Sequence, residues 1–262
     1  MNILLSKKYK PTFLTDIKHN IDLKKCLLNL SKDNELPHIL FSGSNNVGKY
    51  SFARCFLNSK FNENIDIKKN IFTIDNNPID VFVSQYHFEI DIKMCKTFQK
   101  KLIVIDFIKE IANTRNIGSN NYKILIIRNF HLIKPSIQYA LRRIMECYIK
   151  TIRFILITNK NNQVIQAIKS RCLLLNVKNI SKKDNYDILK DIAIQEKIII
   201  SPEIINIILK LSNKINDSID LLQLYENKPD SIIYYNTKYD NLKNLILSRN
   251  PKNITKVNEI LF

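Results

Sequence analysis

The chain is short of glycine, of acidic side chains relative to basic ones, of paired cysteines and of long apolar runs, and each shortage removes a class of explanation. Its longest apolar runs, such as Ile124-Leu125-Ile126-Ile127, are a few residues long, against the roughly 20 that a membrane-crossing helix needs. No membrane span and no membrane partner are expected. At the N-terminus the apolar stretch Met1 to Leu5 precedes Ser6-Lys7-Lys8, the reverse of the order in a secretory signal, so the protein is expected to stay inside the cell. Cys26, Cys55, Cys95, Cys147 and Cys172 are scattered, with no Cys-x-x-Cys pair, and read as reduced thiols with neither a zinc corner nor a redox couple. His19, His38, His87 and His131 also lack metal-ligand spacing. No metal site is predicted.

What is abundant is positive charge: 41 Lys and Arg against 24 Asp and Glu, a net +17. Such a field suits a polyanion such as DNA. The chain is also crowded with Lys, Asn, Ile, Phe and Tyr and has three Gly, the bias of a coding sequence rich in A and T, so charge alone weighs evenly for and against nucleic acid. Its 262 residues, 45% of them hydrophobic, suffice for one large core and a smaller domain. There is no internal repeat and no low-complexity linker.

Apolar stretches at 38–42, 81–90, 123–128, 153–158 and 172–177 read as strands, several of them β-branched and nearly continuous, as in strands buried on both faces. Between them lie helical patterns: Ile105, Ile108 and Ala112 on a helix beginning near Leu102, and Ile137, Leu141, Ile144 and Tyr148 on one beginning near Ser136. Strands alternating with helices predict an α/β fold, a parallel sheet with crossover helices. After about residue 178 the pattern is helical, with starts at Ser181 and at Ser201-Pro202-Glu203. Residues 179–228 therefore read as a small helical domain, Asn227-Lys228-Pro229 as a break, and residues 229–262 as a short, polar, weakly amphipathic tail.

Two of the three glycines fall in one motif. The strand ending at Ser42 runs into Gly43-Ser44-Asn45-Asn46-Val47-Gly48-Lys49-Tyr50, and Ser51 to Cys55 continues as a helix. This is G-x-x-x-x-G-K, a loop whose backbone N–H groups face phosphate and whose lysine reaches the outer phosphates. The following residue should be Ser or Thr to ligate magnesium, and it is Tyr50. Ser51 comes one residue, about 100°, too late around the helix. The partner motif should be an apolar strand ending in carboxylates that hold magnesium and activate water. The strand Lys123 to Ile127 ends instead in Arg128-Asn129-Phe130-His131, neither a metal ligand nor a base.

Several stretches resemble one family. Lys8-Tyr9-Lys10-Pro11, Leu14-Thr15-Asp16-Ile17, Leu36 to Leu40, the phosphate loop, Gln138-Tyr139-Ala140-Leu141-Arg142-Arg143-Ile144-Met145-Glu146 and Ile168-Lys169-Ser170-Arg171-Cys172 are similar, in order and spacing, to the small subunits of replication factor C, the eukaryotic clamp loader. The likeness runs over about residues 5–226. It is strongest to the type called subunit 3 in vertebrates and subunit 5 in yeast, in which the residue after the loop lysine is also neither Ser nor Thr. Gln85-Tyr86-His87-Phe88-Glu89-Ile90 is similar to that subunit's Asn-Tyr-His-Leu-Glu stretch.

The resemblance implies a AAA+ P-loop domain over 1–178, a helical lid over 179–228 and the remnant of a helical collar over 229–262. It implies ATP or ADP as cofactor, held by Gly43, Ser44, Asn45, Asn46, Val47, Gly48, Lys49 and Tyr50, with magnesium in question. Other replication factor C subunits in a hetero-pentamer, the sliding clamp and primed DNA are the implied partners, and the nucleus the implied location. By position, Arg171 resembles the arginine finger that enters a neighbour's ATP site, the alternative being a surface salt bridge. Asn159 resembles the sensor-1 residue, or is a turn asparagine. Arg142 and Arg143 lie on a helix that in the family runs near the DNA, Lys100 and Lys101 are comparable candidates for phosphate contact, and Arg142 is as well placed to pair with Glu146 at i,i+4.

The sequence departs from the family at the sensor-2 position, where Asn216-Asp217-Ser218-Ile219 has no arginine, at Arg128 and Asn129, and in its short collar. These departures favour a subunit that does not hydrolyse ATP itself. A basic DNA-binding module without nucleotide and an active DNA-dependent ATPase remain as alternatives.

Overall fold

The computed structural model describes residues 4–74, 77–95, 98–113, 122–212 and 214–247, with the backbone alone at 74, 77, 98–103 and 239–247. Its contacts divide the chain into two units, residues 11–178 and residues 1–10 with 179–262.

The elements in chain order are α1 (Leu5–Lys8), α2 (Ile21–Lys32), β1 (His38–Ser42), α3 (Lys49–Phe61), β2 (Lys68–Ile74), β3 (Asn77–Val83), β4 (His87–Asp91), α4 (Phe98–Asn113), β5 (Lys123–Arg128), α5 (Pro135–Cys147), β6 (Ile152–Ile157), α6 (Gln166–Lys169), β7 (Cys172–Asn176), α7 (Lys182–Glu196), α8 (Pro202–Leu211), α9 (Ile215–Asn227) and α10 (Pro229–Leu247).

In the first unit the strands form one sheet in the order β2-β3-β4-β5-β6-β1-β7. The five strands from β4 to β7 are parallel. The two outermost pairings on the other side, β2 with β3 and β3 with β4, are antiparallel. The apolar stretch 81–90 is therefore not one strand. It breaks at Ser84, whose hydroxyl accepts from the N–H groups of Tyr86 and His87, while the Ser84 N–H donates to the His87 carbonyl. Strand β2, at residues 68–74, lacks the continuous apolar run by which the inner strands were recognisable.

Alternation along the central strands fills both faces. Leu40, Leu125, Ile127, Phe154 and Leu156 join one core with Val104, Phe107 and Ile108 of α4 and Ile137, Leu141 and Met145 of α5. Ile39, Phe41, Ile124, Ile126, Ile155 and Ile157 join the other, with Leu27 of α2 and Phe52, Phe56 and Leu57 of α3. Helix α4 starts at Phe98, earlier than the expected Leu102.

The second unit gathers α1 with α7 to α10 around Leu5, Leu189, Ile192, Ile205, Ile208, Ile219, Leu222 and Ile232. Ser181 and Ser201 cap α7 and α8, their side chains accepting from the N–H groups of Asp184 and Ile204. Leu5 is tied in by its N–H, which donates to Gln223 Oε1 at 3.0 Å, and Lys8 pairs with Glu196 at 2.6 Å. The stretch after Pro229 forms a long helix whose Ile232 is fully buried.

Candidate functional site

The phosphate loop leaves β1 at Gly43, and both its glycines are required, for different reasons. A Cβ on Gly43, at φ +149°, would lie 2.4 Å from the Val177 carbonyl oxygen. Gly48, at φ +87°, makes the left-handed step into α3. Asn46 is also left-handed, at φ +61°. Ser44, Asn45 and Asn46 lie at the surface, and Val47 anchors the loop in the core beside α3. The Lys49 ammonium donates to the carbonyls of Gly43 (2.9 Å) and Ser44, closing the loop on itself. Burial lowers its pKa to about 8 because a charged amine loses hydration there.

Tyr50 follows, and its hydroxyl turns away from the loop. It donates to Glu89 Oε2 at 2.9 Å, and burial, reinforced by Glu89, raises its pKa to about 12. Over the Tyr50 ring, 4.4 Å from its centroid, lies the Arg128 guanidinium. Arg128 donates to Glu89 Oε1 at 2.9 Å and pairs with Asp91 Oδ2 at 3.3 Å. Burial opposes its charge, but the Glu89 hydrogen bond and the charges of Glu89, Asp91 and Tyr50 outweigh burial and raise its pKa. Asn129, in the left-handed region at φ 54°, donates from Nδ2 to Asp91 Oδ1 at 2.7 Å.

Glu89 and Asp91 were not singled out by sequence reasoning. Both are nearly inaccessible, at 1% and 6% of full exposure, and two residues apart on β4 they share one face. Pairing places Asp91 directly opposite Arg128. The signal was present as two acids at period two in an apolar strand. Recognising it required knowing that β4 is the neighbour of β5.

Asn159 follows the end of β6, half-buried, its N–H 3.5 Å from His131 Nδ1. The preceding Thr158 donates from its N–H to the Phe41 carbonyl at 2.9 Å, which fixes this turn beside the loop end of β1. Burial, with Lys160, Lys93 and Lys49 nearby, lowers the His131 pKa.

Arg171 lies elsewhere, in the turn from α6 to β7. Its Nη1 donates to the Ala167 carbonyl at 2.7 Å and to Ser170 Oγ at 3.3 Å, and its Nη2 pairs with Glu146 Oε1. The same carboxylate oxygen accepts from Arg142 Nε at 3.2 Å. The hydrogen bond from Arg171, together with Arg142, holds the Glu146 pKa below its ordinary value. Arg143 is exposed on the same helix. Lys100 and Lys101 fall in the first turns of α4, and their side chains lie outside the described residues. In the helical unit, Ser218 is fully buried, its hydroxyl accepting from Asn185 Nδ2 at 3.1 Å.

Residues 20–181 match the family described as DNA polymerase III, delta subunit. The chain belongs to this clamp-loader family. Its relatives include a replication factor C small subunit of Staphylothermus marinus, 31% identical over 84% of this chain and 61% of the relative. Replication factor C subunit 5 of Saccharomyces cerevisiae is 31% identical over 73% of this chain and 58% of the relative. The chain thus spans about three fifths of the length of these relatives. Among solved structures, a mutant of Thermotoga maritima RuvB superposes with a TM-score of 0.63 at 15% identity, over 90% of this chain and 74% of that one. The Aeropyrum pernix ORC1 protein does so with 0.59 at 15%, over 92% and 70%. Both likenesses concern the fold, the AAA+ α/β sheet with its helical segment.

Proposed function

We propose that this chain is a nucleotide-binding subunit of a replication factor C-type clamp loader, which supports ATP-dependent loading of a sliding clamp onto primed DNA. In this reading it binds ATP or ADP through Gly43 to Tyr50, does not hydrolyse ATP in its own loop, and supplies Arg171 to the nucleotide of a neighbouring subunit. The partners are the other subunits of a hetero-pentamer, the clamp and the DNA, and in a eukaryote the place of action is the nucleus.

The observation that carries the reading is how β1 and β7 run. His38 lies opposite Cys172 and Ser42 opposite Asn176, so Arg171 stands where the two strands start and Gly43 where they end. At ~3.3 Å per residue the two are roughly 20 Å apart along the sheet, beyond the reach of one side chain. An arginine there that acts on nucleotide acts on another subunit's. Phosphoryl transfer spreads charge over the γ-phosphate, and an external guanidinium can stabilise it. Arg171 is half-exposed, and a neighbour's phosphates would take it from Glu146. The inert loop is supported by Tyr50, whose hydroxyl is committed to Glu89, and by a buried Ser218 at the sensor-2 position.

The test is to reconstitute the loader with Arg171→Ala. ATP turnover by the assembly should fall on the order of a thousandfold at the neighbouring site. Unchanged turnover and unchanged clamp loading would defeat the proposal.

A further inference from the structure

The phosphate loop is of a type that ordinarily takes its nucleotide with magnesium, and the residues around it do not fit that ion. The hydroxyl at the ligating position is a phenol, and it points to Glu89. The two carboxylates at the end of β4 are buried and Arg128 pairs with both, while Asp91 also accepts from Asn129 and from the Lys93 N–H at 3.0 Å. Among the described residues no group of three or more His, Cys, Asp or Glu could hold a metal ion. A divalent ion entering between Tyr50 and β4 would have to displace a guanidinium that is ion-paired on one side and ring-stacked on the other.

This arrangement is a replacement rather than a simple loss. A buried carboxylate pair needs a cation, and removing one partner of such a cluster is far costlier than never building it. Here the cation is part of the chain. The guanidinium packs on the ring of the residue next to Lys49 and pairs with both carboxylates, so the side chains that would receive a mobile ion are already engaged by a fixed one. Arginine suits the position because its planar fork pairs with carboxylates while its face stacks on an aromatic ring.

We propose that the chain binds its nucleoside di- or triphosphate without a divalent cation, because the Arg128 guanidinium, over the Tyr50 ring, occupies Glu89 and Asp91, the carboxylates that would hold the metal. The inference rests on the nucleotide-binding reading given above and goes beyond it by naming the ligand's ionic form and the residue that sets it. Arg128 keeps those buried carboxylates from repelling a metal-free polyphosphate, whose charge the loop meets with Lys49.

The experiment is titration calorimetry of the full chain with ADP, once in magnesium and once in EDTA. The expected dissociation constants agree within about twofold. Arg128→Met should weaken binding in EDTA by about tenfold or more, with partial recovery in magnesium as the freed Glu89 and Asp91 become available to the ion. Arg128→Lys, which keeps a point charge but not the fork, should fall between. A wild-type affinity that drops about tenfold or more in EDTA overturns the inference while leaving nucleotide binding in place. An absence of ADP binding in both buffers overturns both. The wild-type comparison needs no substitution, so it decides the matter even where a variant misfolds.

Discussion

The two ends of the β1–β7 pair make an instructive contrast. At the end where the strands finish, the phosphate loop keeps the backbone needed to cradle phosphate, yet every side chain that would organise hydrolysis is committed elsewhere: Lys49 to loop carbonyls, Tyr50 to Glu89, Arg128 to two carboxylates. Where the strands begin, Arg171 is held by Glu146, the Ser170 hydroxyl and a helix carbonyl, a partly solvated arrangement. One end is saturated internally and the other is left open. Because a parallel sheet puts them on opposite rims, the first can lose its chemistry without disturbing the second.

If that separation holds, substitutions at the two ends should give opposite phenotypes. Arg171→Ala should suppress turnover at the neighbouring site on the order of a thousandfold, with ADP affinity of the isolated chain unchanged. Lys49→Ala should do the reverse, abolishing measurable ADP binding by the chain while the assembly keeps turnover within a few fold. Loss of both functions in either variant would show that the ends are coupled.

A somewhat smaller effect is expected at Gly43. Alanine there meets the Val177 carbonyl at 2.4 Å with φ at +149°, and should lower stability by about 2–4 kcal/mol in urea unfolding. An equally stable variant would mean that the loop and β7 separate easily.

The pH dependence comes next. In the proposed reading charged Lys49 holds phosphate, and without ligand its pKa is lowered to about 8. Binding then takes up a proton as pH rises through that value, so ADP affinity should be flat below about pH 7 and fall above 8 by at most about tenfold per unit. The stability of the unliganded chain moves the other way. Its folded pKa lies below the ordinary lysine value, the unfolded chain binds more protons between the two, and this contribution rises with pH across that window. Isothermal titration across pH, set beside urea unfolding at the same pH values, separates the two trends.

The smallest effect concerns Arg142. Its pairing with Glu146 is solvated at both partners, so Arg142→Ala should leave the unfolding midpoint within error. If Arg142 meets DNA phosphate, the salt dependence of DNA binding by the assembly should become shallower by about one ion. An unaltered slope would confine Arg142 to its glutamate.

Much of this architecture was legible in the sequence. The inner strands announced themselves because burial on both faces demands unbroken apolar runs, and the loop because Gly43, Gly48 and Lys49 are each dictated by backbone or charge. What stayed hidden depends on pairing. Strand β2 lies at the sheet's edge, where Lys68, Lys69 and Asn70 are tolerated, and the turn at Ser84 is made by a side-chain hydroxyl in the middle of an apolar stretch. Arg128 and Asn129 read as missing acids. Only the register of β4 against β5 reveals that the acids stand next door, on Glu89 and Asp91. The N-terminal turn at Leu5 gave no hint that it packs with α9, since a four-residue helix carries too little pattern to declare its neighbour.

The close seat of Gly43 on the Val177 carbonyl has a mechanical meaning. Val177 directly follows β7, the strand that Arg171 precedes, and its N–H is itself pinned to the Ser42 carbonyl at 2.8 Å. The strand is thus a short rod clamped to the loop at its far tip. Because β1 holds that rod along all five of its residues, strain at one rim is spread over the strand pair before it reaches the other, which lets the two rims be altered separately.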